Sequence, residues 1–226
     1  MSGFEERLES VKERIDAACA RAGRSSDEIN LVAVSKTRLP QEVSEAAACG
    51  VIYFGENKVQ EAEQKIPMCP GNISWHLVGH LQSNKVRRAV QLFDMIHSAD
   101  SLKVLRAINS GCEAVGKNIK VMLEVNVSGE LSKFGVIPDQ VERTLEESSD
   151  LSRVEVVGLM TMPPFREDPE EVRPWFQKLA RLRGEMQAAG YGLDELSMGM
   201  SNDFDVAIEE GATWIRIGTL LFGARK

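Results

Sequence analysis

The sequence predicts an α/β fold, a single (β/α)8 TIM barrel with an additional N-terminal helix. Eight apolar stretches have the composition of buried strands, and each is followed by a helix or by the closing segment of the chain. The length of 226 residues suits one compact barrel, because such barrels typically need ~250 residues. An open doubly wound sheet is the alternative, but it would favour a glycine-rich turn after its first strand, where this chain has SKTRLP.

The first segment precedes the barrel and is predicted to be an amphipathic helix over residues 3–22. We expect this helix, within residues 1–25, to pack on the barrel. Residues 1–226 would then form one domain. The apolar residues of the helix recur at the spacing of one helical face: Phe4, Leu8, Val11, Ile15 and Cys19.

Predicted strands and helices alternate through the rest of the chain. The fifth strand is the most clearly β, and the second and seventh are the weakest. Pro40 favours the first turn of the first barrel helix, and Gly50 follows its end. The strands are predicted over residues 31–35, 51–54, 74–78, 93–97, 119–125, 154–159, 195–198 and 213–217. The helices are predicted over residues 40–49, 57–65, 83–90, 101–115, 138–147, 168–189 and 201–210, and residues 220–226 close the chain.

The charge and hydropathy of the chain limit its partners. It has 27 basic and 34 acidic residues, a net charge of -7, which argues against nucleic acid as the main partner because phosphate binding favours a basic face. No apolar run approaches the ~20 residues needed to span a bilayer, and the charged start MSGFEERLES does not resemble a signal peptide. We therefore expect a cytoplasmic protein that binds neither nucleic acid nor a membrane.

The cysteines predict no metal site. None of the four belongs to a C-x-x-C pair, and their spacing does not suit zinc. A reduced, cytoplasmic setting suits them best. They are Cys19, Cys49, Cys69 and Cys112.

Lys36 stands at the end of the first predicted strand, LVAVS, where the active sites of such barrels lie. A lysine is poorly suited to a barrel interior unless its charge is matched or its amine is used. A salt bridge and a chemical role are therefore both open for this residue.

The loops after the seventh and eighth strands often bind phosphate in this fold, with the help of a helix N-terminus. GMSND places Ser201 at the head of a predicted helix, and RIGT offers the backbone of Gly218 and the hydroxyl of Thr219. Each motif alone is explained by a helix cap, at Ser201 or Asp203, and by a turn. Their joint position in the two expected loops favours a phosphate site.

An amine across the barrel mouth from a phosphate site predicts a Schiff base with a phosphorylated carbonyl compound. Two classes of protein fit: a lyase that captures a sugar phosphate, and a protein that holds pyridoxal 5'-phosphate (PLP). In WIRIG, Arg216 shares a strand face with Trp214, so inside the mouth it could donate to the pyridine nitrogen of PLP. The alternative for Arg216 is an ion pair with a barrel carboxylate. We favour PLP.

The sequence resembles the pyridoxal phosphate homeostasis proteins, a family similar to the barrel domain of alanine racemase and its fold-type III relatives. The resemblance extends over residues 32–223, and its motifs are specific in combination rather than singly. The matching segments are AVSKT, FGENKVQE, WHLVGHLQSNK, VNVSGELSKFG, GLMTM and SMGMSNDFDVAIEEGATWIRIGTLLFG.

The resemblance implies a role for each matched residue. Lys36 would form the Schiff base with PLP, Arg216 would face the pyridine nitrogen, and Asn57 would line the pocket. No catalytic residue is implied. Four further residues would contact or approach the cofactor phosphate: Met200, Ser201, Gly218 and Thr219.

The family likeness also implies a function. The protein would hold PLP and buffer or deliver it inside the cell, without a robust catalytic activity of its own. Apo PLP-dependent enzymes are the candidate recipients. A monomer is expected, since nothing in the sequence requires a shared site.

An amino acid racemase-like PLP enzyme is the alternative. A racemase needs acid/base groups on both faces of the substrate carbon, and alanine racemase takes the second one from a domain after its barrel. Here the sequence ends seven residues after Thr219, and its two tyrosines, Tyr53 and Tyr191, come earlier. We therefore expect at most slow side reactions at Lys36.

Three further residues lie in the matching motifs without an assigned role. We expect His76 and His80 to be structural, because neither has an evident nucleophile partner. For Lys133 a solvated charge is the default interpretation, with a secondary cofactor contact as the alternative.

Overall fold

The computed structural model describes residues 3–224, and within this range eight parallel strands close into one barrel. The strands follow chain order around the barrel, and the last pairs with the first. The predicted (β/α)8 fold is confirmed. The strands are β1 (Asn30–Val34), β2 (Tyr53–Glu56), β3 (Ser74–Leu77), β4 (Met95–Ala99), β5 (Ile119–Glu124), β6 (Val154–Met160), β7 (Glu195–Met200) and β8 (Trp214–Ile217).

A helix follows each strand. Three of the predicted helices begin with a short 3-10 turn, at Ser83–Lys85, Pro138–Gln140 and Pro169–Val172. The α-helices are α1 (Gly3–Ala22), α2 (Pro40–Ala48), α3 (Val59–Lys65), α4 (Val86–Leu92), α5 (Leu102–Val115), α6 (Val141–Ser148), α7 (Arg173–Ala188), α8 (Phe204–Glu209) and α9 (Thr219–Phe222).

Two strands lie two residues further along the chain than predicted. β2 starts at Tyr53, because the N–H of Val51 still donates to a carbonyl of α2. β4 starts at Met95, because the N–H of Phe93 donates to Ala89 and ends α4. Buried residues at a helix exit and at a strand start are equally apolar, so hydrophobicity alone does not separate them.

The barrel interior is filled by side chains that point inward from alternate positions of the strands. Because Trp214 faces the interior, Arg216 two residues further along β8 faces it as well. Seven inward residues form one buried apolar cluster: Val32, Val78, Met95, Met122, Val157, Met160 and Trp214.

The predicted N-terminal helix α1 packs on the outside of the barrel, against α8 and α9. Its apolar face joins the main hydrophobic core. Arg14 pairs with Asp205, and Arg21 pairs with Glu209 at 2.6 Å. The buried residues of this face are Phe4, Leu8, Val11, Ile15, Ala18 and Cys19.

Three further features concern membrane-spanning helices, the cysteines and metal sites. Among residues 3–224, no helix is both long enough and apolar enough to cross a membrane. All four cysteines are free thiols. In the same part of the chain, no three histidine, cysteine or acidic side chains lie close enough together to hold a metal ion.

Candidate functional site

A cavity of about 440 Å³ opens at the carboxyl end of the barrel, between the loops that follow β1, β2, β6, β7 and β8. Its volume lies in the range of small-molecule and cofactor sites. The seven residues that the sequence singles out all line it: Lys36, Asn57, Met200, Ser201, Arg216, Gly218 and Thr219. Its wall is completed by six residues that were not predicted as ligand contacts: Val34, Val78, Met162, Phe165, Asn202 and Asp203.

Lys36 is half-buried and lies two residues past the end of β1. The residue before it, Ser35, is fully buried, and its hydroxyl donates to Glu56 at 2.7 Å. The residue after it, Thr37, has a φ of 65°, the left-handed region that non-glycine residues rarely adopt. The backbone therefore turns sharply at Lys36, and this turn directs its side chain into the cavity.

Both neighbours of Lys36 are tied to a buried ion cluster, the Lys65 cluster, which consists of Lys65, Glu56 and Glu61. Lys65 Nζ lies 2.7 Å from Glu56 and 2.8 Å from Glu61. The same amine donates to the carbonyl of Ser35 at 2.6 Å, and Glu61 accepts from the N–H of Thr37. The cluster thus fixes the peptide groups on either side of Lys36.

Sequence reasoning missed the Lys65 cluster. The available signal was the i,i+4 spacing of Glu61 and Lys65 in the FGENKVQE region. Burial raises the pKa of Glu56, although Lys65 and Ser35 both donate to its carboxylate and oppose that shift.

Arg216 is 3% exposed and lies beneath the cavity. Its terminal nitrogens donate to the Ser197 hydroxyl at 2.5 Å and to the Thr161 carbonyl at 2.9 Å. No carboxylate among residues 3–224 lies within 4.0 Å of its guanidinium, so the ion pair weighed as an alternative is not formed there. Burial lowers the pKa of Arg216 to about 10, against the opposing attraction of Asp203 and Glu124.

The loop after β7 differs in detail from the prediction. The helix expected from residue 201 begins at Phe204, because residues 201–203 form a turn closed by Asp203. Asp203 accepts from the N–H of Met200 at 2.6 Å, and its own N–H donates to the carbonyl of Met200 at 3.1 Å. Both backbone groups of Met200 are thus used within the loop, whereas Ser201 remains half-buried at the cavity wall.

The position of this loop depends on Gly199, whose φ is +91°. A Cβ atom at this residue would lie 2.6 Å from Cβ of Ala207 and 2.9 Å from Cα of Phe204. Only glycine therefore allows β7 to approach α8 this closely and turn into the segment that carries Ser201.

The loop after β8 leads directly into α9. The carbonyl of Gly218 accepts the first helical hydrogen bonds, from Leu221 at 3.1 Å and Phe222 at 3.0 Å. The N–H groups of Thr219 and Leu220 precede these bonds and have no acceptor within the helix. The exposed Thr219 side chain adds a hydroxyl at the cavity opening.

Asn57 follows β2 and is half-buried at the cavity wall. Its backbone is held closely by Gly79, since a Cβ atom at residue 79 would lie 2.4 Å from the Asn57 carbonyl oxygen. The loops after β2 and β3 therefore touch at Gly79 of the VGH motif, and a side chain at this residue would not fit.

The residues without a predicted role lie outside the cavity wall. His80 Nδ1 is 3.0 Å from the Asp100 carboxylate, and its ring stacks on Phe134 at 3.8 Å. Lys133 is half-buried in the loop after β5. His76 is 2% exposed within the barrel interior.

Glu124 is a buried carboxyl at the end of β5 that sequence reasoning did not single out. It is 3% exposed, and its Oε2 has no hydrogen-bond partner among the described residues. Burial and the charge of Asp100 raise its pKa to about 7, while Arg216 and Lys133 act in the opposite direction.

Comparison with known proteins places this geometry among related barrels. A family model described as "Alanine racemase, N-terminal domain" matches residues 7–226. A pyridoxal phosphate homeostasis protein of Aquifex aeolicus is 47% identical over 98% of this chain and 98% of that protein. A protein of the same name from Escherichia coli strain K12 is 37% identical, covering 100% of this chain and 98% of that protein.

Solved structures agree with the sequence comparison. PipY of Synechococcus elongatus PCC7942, described as a COG0325 family member, is similar in its PLP-bound form with a TM-score of 0.84. It is 37% identical over 97% of this chain and 100% of that chain. Alanine racemase of Clostridium difficile 630 has a TM-score of 0.75 at 13% identity, over 100% of this chain and 57% of that one, which establishes the shared fold.

Proposed function

This chain belongs to the pyridoxal phosphate homeostasis protein family, and we propose that it binds PLP at the barrel mouth and serves intracellular PLP homeostasis. It would hold the cofactor reversibly and buffer or deliver it. The relatives carry this name at 36–47% identity, and one solved structure of a relative contains PLP.

The observation that carries the proposal is the convergence of an amine and an anion-binding wall on one cavity. Lys36, Ser201, Gly218 and Thr219 all line it. PLP supplies a reactive aldehyde when bound. The Lys36 amine would hold the cofactor through reversible Schiff-base chemistry with this aldehyde.

The remaining wall suits the two ends of the cofactor. The hydroxyls of Ser201 and Thr219 and the N–H groups at the start of α9 are donors for a phosphate. Met200, whose backbone groups bond to Asp203, would contribute contact and shape rather than a phosphate hydrogen bond. Arg216 would donate to the pyridine nitrogen. Asn57 would line the ring together with three apolar residues, Val34, Val78 and Met162.

A carrier accounts for the site better than a racemase. Tyr53 starts β2, and its ring contacts Trp214 and His76 in the barrel interior. Tyr191 precedes β7 and therefore lies toward the amino ends of the strands. Neither tyrosine is placed to serve as a second acid/base group opposite Lys36.

The cellular setting belongs to the same proposal. We expect a cytoplasmic monomer, since all seven proposed contacts come from one chain, with apo PLP-dependent enzymes as recipients and neither nucleic acid nor a membrane as partner. Sedimentation at micromolar concentration should give the mass of a single chain with and without PLP.

Spectroscopic titration tests the proposal. Wild-type protein incubated with PLP and desalted should retain a visible absorption band, and Lys36→Ala should lose it. Lys58→Ala removes an exposed lysine beside Asn57 and should behave as wild type. A wild-type protein that retains no PLP would contradict the function, and efficient interconversion of alanine enantiomers would favour the racemase.

A further inference from the structure

Arg216 is connected to a line of hydrogen bonds that runs down through the barrel interior. The Ser197 hydroxyl that accepts from Arg216 lies 2.8 Å from Nδ1 of His97. Nε2 of His97 lies 3.0 Å from Nδ1 of His76. Ser197, His97 and His76 are all at most 2% exposed, so this line lies away from solvent.

The line continues to the opposite end of the barrel. Nε2 of His76 lies 3.3 Å from the hydroxyl of Ser74, which in turn donates to the Asp94 carboxylate at 3.0 Å. Asp94 is exposed and also accepts from the N–H of Trp75 at 2.9 Å. We call the four intervening residues the histidine chain: Ser197, His97, His76 and Ser74.

With both imidazoles neutral, the two ends fix the direction of every hydrogen bond in the histidine chain. A guanidinium only donates and a carboxylate only accepts. Ser74 donates to Asp94, so its oxygen accepts from Nε2–H of His76. Nδ1 of His76 then accepts from Nε2–H of His97, and Nδ1 of His97 accepts from Ser197.

This arrangement requires both imidazoles to be neutral. Burial lowers the pKa of His76 to about 4, with Asp94 opposing the shift. Burial lowers the pKa of His97 well below its ordinary value, and the nearby His76 and the Arg216 charge act in the same direction. The rings also pack against Trp214, with centroids 5.0 and 5.5 Å away, which leaves them little freedom to rotate.

The histidine chain compensates for the lack of a carboxylate beside Arg216. A buried guanidinium needs well-placed acceptors, because burying an unpaired charge is costly. Successive hydrogen bonds polarise one another, so the remote Asp94 makes the Ser197 oxygen a better acceptor. Sequence reasoning assigned no role to His76, and it did not single out His97 or Ser197.

We propose that the histidine chain is a positioning device, which holds Arg216 in one orientation toward the ring nitrogen of bound PLP and links it to Asp94 at the far end of the barrel. The proposal rests on PLP being bound as argued above. Its residues act through Arg216 and do not touch the cofactor.

Histidine tautomers in the PLP-free protein provide the first test. Two-bond ¹H–¹⁵N spectra should show both His76 and His97 as neutral Nε2–H tautomers at neutral pH. In Ser74→Ala, Nε2–H of His76 loses its acceptor, and both rings should shift together toward the Nδ1–H form. A protonated ring, an Nδ1–H form in the wild type, or a His97 unaffected by Ser74→Ala would overturn the histidine chain.

The second test measures the link to the cofactor. Ser197→Ala should increase the PLP dissociation rate by about tenfold, the value of one charge-assisted hydrogen bond, and should shift the visible absorption maximum. Ser148→Ala is the matched control, because this buried serine donates only to Leu145 within α6. Equal dissociation rates and maxima for the two variants would overturn the positioning role.

The two proposals fail in different ways. If the wild type binds no PLP, the proposed function fails, while the tautomers still decide whether the histidine chain has the inferred direction. If the wild type binds PLP and only the Ser197→Ala effects are missing, the function stands and the positioning role is wrong.

Discussion

At the scale of single residues, the raised pKa of Glu124 makes the stability of the folded protein depend on pH. Its carboxyl titrates at about 7 in the folded protein, well above its ordinary value of 4.5. The folded state therefore holds a proton that the unfolded state has released between these two pH values. The contribution of Glu124 to stability falls as pH rises through this window and is constant above it.

Glu124→Gln should remove this pH dependence. We expect the variant to match the wild type near pH 4.5 and to exceed it at pH 8 by about 3 kcal/mol at most. Urea unfolding at both pH values measures the difference. Glu155→Gln, at an exposed position of β6, is the control, and a difference that does not vary with pH would contradict the assignment.

The residue scale also marks what the sequence could and could not reveal. Lys36 and Arg216 were predicted because a cation at the end of an apolar strand breaks the pattern around it. The Lys65 cluster was not predicted. Its three members belong to the end of β2 and to α3, and only the fold determines how this strand and this helix are oriented relative to each other. The roles proposed for the seven cavity residues remain predictions.

At the scale of elements, the alternation of strands and helices was predictable from the sequence. Apolar runs are separated by residues that mark the ends of helices, such as Pro40 and Gly50. Boundaries were less predictable where backbone geometry decides them. The start of α8 is such a case, since Asp203 and Gly199 form a turn within a segment that reads as helical.

Gly199→Ala should disrupt this element specifically. Left-handed strain and the contact with Ala207 should together destabilise the protein by about 2–4 kcal/mol, and PLP retention should fall because the Ser201 segment moves. Gly184→Ala, within α7 and free of contacts within 4 Å, should instead stabilise by about 0.5–1 kcal/mol. Chemical denaturation of both variants provides the comparison, and equal stabilities would show that β7 and α8 can separate without cost.

At the scale of the whole molecule, α1 contributes to the main hydrophobic core that surrounds the barrel. Its buried face belongs to the same hydrophobic cluster as β1, α8 and α9. One domain over residues 1–226 stays a prediction, and residues 1, 2, 225 and 226 lie outside the described part of the chain.

The single-domain prediction has a clear spectroscopic signature. The three tryptophans, Trp75, Trp175 and Trp214, all lie outside α1, so unfolding of α1 alone would lower far-ultraviolet ellipticity before tryptophan fluorescence changes. We expect both signals to follow one urea transition. Leu8→Ala should move both midpoints together, at a cost of about 2–5 kcal/mol.

Lys12→Ala, on the exposed face of α1, is the control for that variant and should change stability by less than about 0.5 kcal/mol. An early loss of ellipticity in Leu8→Ala, with fluorescence unchanged, would contradict the single domain.

The central claim is that Lys36 anchors PLP at the barrel mouth. The most direct measurement is to load the protein with PLP, reduce it with borohydride, and locate the added pyridoxyl mass by peptide mapping. We predict that this mass lies on Lys36 in nearly all of the modified protein. A pyridoxyl mass spread over several exposed lysines, with Lys36 unmodified, would contradict the account.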